Sequence, residues 1–142
     1  MADRDLRDVV VIAAGAASTG AGQQAVLALI EEVERRTGFQ WPVVARKPAP
    51  GQSVVVVCDD ANLASLPGPL LEALSGLELP GAEGYRLLVT ADVAPTVLVV
   101  GHDTRGILYG VGRLLRCMKM RPGSIRIAES VRISTTPYAV IR

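Results

Sequence analysis

Val97-Leu98-Val99-Val100-Gly101-His102-Asp103-Thr104-Arg105-Gly106-Ile107-Leu108-Tyr109-Gly110-Val111-Gly112-Arg113-Leu114-Leu115-Arg116-Cys117-Met118 is the stretch that decides the fold of this chain. It opens as a β-branched run and continues as an amphipathic helix. Ile107, Leu108, Val111, Leu114, Leu115 and Met118 recur at the spacing that makes one stripe on a helix, and that stripe must be buried. Gly101 lets the chain turn between the two halves, and Asp103 or Thr104 is placed to accept hydrogen bonds from the first free N–H groups of the helix. Gly106 and Gly110 sit one turn apart on a flank of the stripe. Each costs helix stability relative to Ala, so the reading is that another backbone approaches closely there. Arg105, Tyr109, Gly112 and Arg116 form a second stripe on the side away from the core.

Outward from this stretch the chain alternates strands and helices. Residues 8–13 hold the β-branched run Val9-Val10-Val11-Ile12, and residues 15–22 are small. Val26, Leu27, Ile30 and Val33 give residues 23–36 a helical stripe that ends at Gly38. A second strand is expected over 41–46, with Pro42 near its start, then a turn over 47–53 and a third strand over 54–58. Asp59 or Asp60 reads as the cap of a short helical passage around residues 70–74, limited by Pro67 and Pro69. Residues 85–90 and 96–100 have the spacing of an antiparallel hairpin. Arg121-Pro122-Gly123 is expected to stop the main helix, and 124–128 with 131–133 to form a last strand or bent pair. The order predicts an α/β (α+β) fold: a mixed β-sheet with two main helices packed on one face.

Composition bounds the function. A chain of 142 residues fits one core and cannot hide a catalytic barrel of roughly 250 residues. Lys and Arg number 15 against 14 acids, so neither nucleic acid nor a polybasic membrane contact is favoured. No apolar run approaches the roughly 20 residues that span a bilayer, and the acidic start Met1-Ala2-Asp3-Arg4-Asp5 lacks a signal peptide's basic leader. The expectation is a soluble protein whose compartment and oligomeric state are left open. Cys58 and Cys117 lack CxxC spacing and read as two buried free thiols, with a disulfide between them as the alternative.

Catalytic patterns are sought and not found. Residues 15–20 occupy the place of a phosphate loop, but Ala21-Gly22 stand where Lys-Ser/Thr would be needed. His102 is the only histidine, which excludes an HExxH zinc site, and no GxSxG marks a nucleophile. Asp59-Asp60 is the best carboxylate pair, yet neighbours on a strand point to opposite faces and would not flank one sugar. No catalytic residue, metal ligand or cofactor is assigned.

The order Glu83-Gly84-Tyr85-Arg86-Leu87 followed by Gly101-His102-Asp103-Thr104-Arg105-Gly106-Ile107-Leu108-Tyr109-Gly110 resembles the "EGYxL … GxDxRGxxYG" pattern of a non-catalytic α/β domain. That domain precedes the catalytic barrel in glycoside hydrolases such as family 20 β-N-acetylhexosaminidases and family 67 α-glucuronidases. The passage Arg36-Thr37-Gly38-Phe39-Gln40-Trp41-Pro42-Val43 and the close at Thr136-Pro137-Tyr138-Ala139-Val140-Ile141-Arg142 fit the same domain and its linker. The resemblance implies a zincin-like sandwich over residues 1–135, a linker starting at 136–142, and a barrel of the parent chain as partner. It supplies no catalytic residue, since the catalytic acids of such enzymes belong to the barrel. Gly84, Tyr85, Gly101, Asp103, Arg105, Gly106, Tyr109 and Gly110 carry the motif, and Arg105, Tyr109 and Arg116 are the candidate docking residues. The alternative is a free-standing small-molecule or carbohydrate binder, for which Trp41, Tyr85 and Tyr109 would have to form a platform.

Overall fold

The computed structural model describes residues 3–45, 49–90 and 94–136. Arg46, the middle of the expected hairpin turn at 91–93, and linker residues 137–142 lie outside them.

Five strands make the main sheet: β2 (Val9–Ala13), β3 (Ser53–Asp59), β4 (Tyr85–Val89), β5 (Thr96–Gly101) and β8 (Arg132–Thr135), in the order β2-β3-β5-β4-β8. β2, β3 and β5 run parallel, while β4 is antiparallel to both β5 and β8. Parallel strands are covered on both faces, which is why β3 reads as an unbroken apolar run. Alternate residues serve the two sides: Val55, Val57, Val97, Val99 and Leu87 face one core, Val54, Val56, Cys58, Leu98 and Val100 the other.

The first core is roofed by α1 (Gly20–Thr37) and α3 (Thr104–Cys117) through Val26, Leu29, Val33, Ile107, Val111 and Leu114. These are the two main helices on one face that the sequence predicts. A third helix, α2 (Gly68–Ser75), covers the opposite face with Leu74, preceded by a 3-10 passage at Asp60–Ser65. Helix α1 ends at Gly38, whose φ of 87° is the left-handed value that glycine adopts without a steric penalty.

A second sheet was not foreseen. β1 (Asp3–Asp5), β6 (Lys119–Arg121) and β7 (Ser124–Ala128) pair in the order β1-β7-β6. Its inner side chains Met120, Ile125 and Ile127 join the first core beside α1. β1 is Asp-Arg-Asp and carries no apolar signal. The main helix stops at Cys117, before the expected 121–123, because Met118 is extended (φ −77°, ψ 138°) and residues 119–121 alternate out and in. Pro122-Gly123 is instead a hairpin turn, with Gly123 at φ +77°. Residues 124–128 and 131–133 belong to different sheets, so they are neither one strand nor a pair.

The expected second strand over 41–46 shrinks to one parallel bridge between Val43 and Val11. Pro42 accepts a bond from Val11 but has no N–H to give, and Trp41 turns away into the core. There the buried indole Nε1 donates to the carbonyl of Leu6 at 3.0 Å, while the Leu6 N–H donates to Ile125. Trp41 thereby ties the end of α1 to the small sheet. Trp41→Phe should leave that carbonyl without its donor and open a small void, lowering stability by about 1–3 kcal/mol. Urea unfolding checks it, and an unchanged midpoint would show that the indole does not fasten the small sheet.

Candidate docking helix and the clamp that sets it

The start of α3 is locked to the start of β4 by contacts between residues 83–84 and 102–106. Asp103 occupies the N-cap position and one carboxylate oxygen, Oδ1, accepts from the Gly106 N–H at 2.9 Å. Its other oxygen accepts from the Glu83 N–H at 3.0 Å, and the Gly84 carbonyl accepts from the His102 N–H at 2.9 Å. Glu83 has a φ of 62°, a region that side chains disfavour, and its carboxylate pairs with Arg105 Nη1 at 2.9 Å. Of the two caps the sequence left open, Asp103 is the one used.

The glycines of this segment sit where a side chain cannot. A Cβ on Gly106 would stand 2.1 Å from the Gly84 carbonyl oxygen, and one on Gly101 2.3 Å from the Ile107 nitrogen. A Cβ on Gly84 would meet the Thr135 carbonyl of β8 at 2.6 Å. At Gly110 the neighbours are side chains, with Val99 Cγ1 at 2.8 Å and Tyr85 Cβ at 3.3 Å. The close approach expected from Gly106 and Gly110 is thus to strands β4 and β5, by backbone at Gly106 and by side chains at Gly110.

Once clamped, α3 turns Ile107, Val111, Leu114 and Met118 into the core. Arg105, Tyr109 and Arg116 are exposed on the opposite side, and Gly112 is half-buried between them. Leu108 departs from its assignment to the buried stripe: it is 40% exposed and lies next to Tyr109, itself 39% exposed. At about 100° per residue Leu108 stands roughly a right angle from the middle of the stripe, where spacing alone does not settle burial. That angle is the signal that would have found it.

Around Arg86 and His102 the polar groups are paired, apart from the buried Arg86 Nε, which has no hydrogen-bond partner. Asp60 does not cap a helix; it accepts from Arg86 Nη2 at 2.8 Å and contacts His102 Nδ1 at 3.0 Å. Asp59 holds the N-cap position of the 3-10 passage without a capping hydrogen bond from its side chain, and accepts instead from the Asn62 amide at 2.5 Å. Arg86, only 5% exposed, is a charge buried beneath the 3-10 passage that sequence reading did not single out, because it follows an apolar strand pattern. Among the described residues no group of three potential ligands could hold a metal ion. Cys58 and Cys117 are free, and burial, followed by the charges of Asp59 and Asp60, pushes the Cys58 thiol up to about 12. Trp41 and Tyr85 are buried, so they form no aromatic platform with Tyr109. No described helix is long and apolar enough to cross a membrane.

Comparison with known families decides what carries this geometry. The family model for glycosyl hydrolase family 20, domain 2 matches residues 3–139. The chain belongs to that family. Its fold is that of an accessory domain of glycoside hydrolases, and it contains no catalytic barrel. The family 20 β-N-acetylhexosaminidase of Streptomyces coelicolor A3(2) superposes with a TM-score of 0.65 at 17% identity, covering 96% of this chain and 24% of that one. The N-acetyl-β-hexosaminidase of Streptomyces plicatus gives 0.59 at 21% identity, with 96% and 23% covered. The family 20 exo-β-N-acetylglucosaminidase of Vibrio harveyi gives 0.53 at 13% identity, with 88% and 15% covered. This domain 2 therefore spans about a quarter or less of the solved enzymes it resembles. A search of the curated proteins finds no match.

The clamp makes two testable demands on this domain 2. Gly106→Ala places a methyl against a backbone oxygen and should cost about 3 kcal/mol or more, whereas Gly110→Ala meets movable side chains and should cost about 1–2 kcal/mol, net of the roughly 1 kcal/mol each gains in helix propensity. Equal stability of the two variants in denaturant titration would mean that the backbone contact is not rigid.

The second demand concerns acid. Burial raises the Asp103 carboxyl, but hydrogen bonds from the Glu83 and Gly106 amides, with the charges of His102 and Arg105, outweigh it and hold the group below the usual range. A lowered folded value stabilises the fold above the unfolded value of about 3.9, and that stability is lost as pH falls through the folded one. Asp103→Asn keeps a capping oxygen but turns an NH₂ toward the Glu83 N–H. It should lower stability by about 1–2 kcal/mol at neutral pH and flatten the acid limb below about pH 4. An acid limb as steep in the variant as in the wild type would assign that limb to other carboxylates.

Proposed function

We propose that this domain docks on the catalytic barrel of a parent family 20 enzyme through the outer face of α3, with Arg105, Tyr109 and Arg116 as contact residues and Leu108 beside them. The observation that carries the reading is the exposed Leu108–Tyr109 pair lying between two exposed arginines on a helix fixed to the sheet. Tyrosine and arginine dominate interface energetics because each combines a large buried contact with a directed polar group. An interdomain contact of roughly 600–1,500 Å² needs no more than such a mixed patch. Gly84, Tyr85, Gly101, Asp103, Gly106 and Gly110 are the positioning part of the arrangement, since they set the height and angle of the helix. Residues 1–135 form the domain in this reading, and 136–142 lead toward the barrel.

The chemistry belongs to the partner. The solved enzymes with this fold are named for removing β-linked N-acetylhexosamines, which supports the same class of glycosidic bond as the substrate of the parent. The role of the present residues is to support one side of the barrel.

In a protein joining this domain to its barrel, Tyr109→Ala with Arg116→Ala should raise the rate of proteolysis around residue 137 severalfold. The same double variant should change the stability of the isolated domain by no more than about 0.5 kcal/mol. Equal proteolysis of variant and wild type would remove this docking face. A large loss of stability in the isolated domain would show that the stripe belongs to the core.

A further inference from the structure

Charge in this nearly neutral chain is segregated. Residues 104–128 contain Arg105, Arg113, Arg116, Lys119, Arg121 and Arg126, and no Asp or Glu. Arg105 pairs with Glu83, and Lys119 with Asp3 at 3.0 Å. Interaction with Cys117 and then with Tyr85 raises the Arg113 guanidinium above its usual range. Arg121 and Arg126 are exposed and have no acidic partner among the described residues.

The small sheet gathers three of these cations, Lys119, Arg121 and Arg126, on one side, where Asp5 of β1 stands opposite Arg126. Lys119 lies directly opposite Arg126, and Arg121 opposite Ser124, so all four side chains leave the outer face of the β6–β7 hairpin. The inner face is spent on Met120, Ile125 and Ile127. Two shallow basins flank the ridge formed by Ser124 and Arg126. One, of about 330 Å³, is lined by Lys119, Met120, Arg121, Ser124 and Arg126. The other, of about 180 Å³, adds Arg7 and Asp5.

We propose that this outer face binds an acidic glycan, a sugar chain bearing carboxylates at intervals along its length. Lys119 stands directly opposite Arg126, about 5 Å across the ladder, and Arg121 lies diagonal to Arg126, about 7–8 Å away, so carboxylates carried at intervals along a chain can meet both arginines. A guanidinium accepts a carboxylate with two parallel hydrogen bonds, so Arg121 and Arg126 fit that group better than a diffuse charge. Asp3 and Asp5 share the face. They oppose a duplex, whose charges recur about every 1.7 Å, more than a sparse polyanion. None of Phe39, Trp41, Tyr85 and Tyr109 lies on the hairpin to stack a base. The choice of a sugar chain over an acidic protein surface rests on the proposed role in a glycoside hydrolase. The basins lie on the small sheet and not on the docking helix, so a glycan held there would leave α3 free for the barrel.

The test uses the 142-residue chain and polygalacturonate as the probe, by calorimetry and by retardation in polygalacturonate gels. Wild type should bind at low salt and weaken as salt is raised. Arg121→Ala with Arg126→Ala should weaken binding about tenfold or more, while Arg35→Ala with Arg36→Ala on α1 should not. Fully methyl-esterified polygalacturonate, the same polymer without its charges, should not bind the wild type, a control that does not depend on the folding of any variant. No binding at low salt, equal binding of the ester, or equal affinity of the hairpin variant and wild type would each overturn the proposal. Tighter binding of duplex DNA or polyglutamate would overturn it in favour of a nucleic-acid or acidic-protein surface. None of these readouts depends on docking to the barrel, which proteolysis of the joined protein reports separately.

Discussion

The carbonyl oxygen of Gly84 lies where a side chain at position 106 would have to be, and the arrangement of α3 follows from that contact. Two backbones meet there without side chains between them, so the helix lies lower on the sheet than ordinary packing allows. The low seat lets a short carboxylate reach two amides at once, Gly106 in its own first turn and Glu83 in the neighbouring loop. Those bonds in turn hold Glu83 at its positive φ, where it pairs with Arg105. Removing any one of these parts leaves a buried amide or a strained residue without compensation.

The opposite side of the sheet carries a second electrostatic tie. Arg86 leaves β4 on the α2 face, and a charge so buried costs free energy unless it is paired. Asp60 supplies the pair from the 3-10 passage and also contacts His102, the residue preceding the Asp103 cap. The loop between β5 and α3 is therefore held from both sides of the sheet, by Asp60 through His102 and by Glu83 and Gly84. Arg86 and Asp60 thus spend their charges on each other, although the buried Arg86 Nε is left without a hydrogen-bond partner.

Much of this was legible in the sequence, and the reasons differ by element. β3, β5 and the stripe of α3 were readable because burial on both faces, or on one face of a helix, imposes a periodicity that composition cannot hide. The motif glycines were readable as close contacts because glycine is otherwise costly in a helix. The small sheet was readable only at residues 124–128, its central strand: β1 is three polar residues, and β6 follows the helix without a breaker, so its start depends on Met118 finding a core position that only the tertiary fold supplies. Trp41 misled in a similar way, since the apolar stretch around Pro42 satisfies a strand pattern while the indole is used to tie the segment after α1 to Leu6 beside the small sheet. Leu108 shows the limit of spacing arguments: its angle on the helix permits burial, yet it stands 40% exposed.

Helix α3 contains Gly106, Gly110 and Gly112 within its 14 residues, and each lowers its intrinsic stability by up to about 1 kcal/mol relative to Ala. An isolated helix of this length is marginal in water even with a favourable sequence, so this one is helical because it is seated on the sheet. The direction of its outer stripe is then fixed by the same contacts that make it a helix. A surface held in this way loses little further freedom when a partner covers it, so more of the contact energy is realised as binding. In this reading the glycines that weaken the helix as a helix are what make Leu108, Tyr109 and the flanking arginines a rigid face, and the two roles of the motif are consequences of one backbone contact.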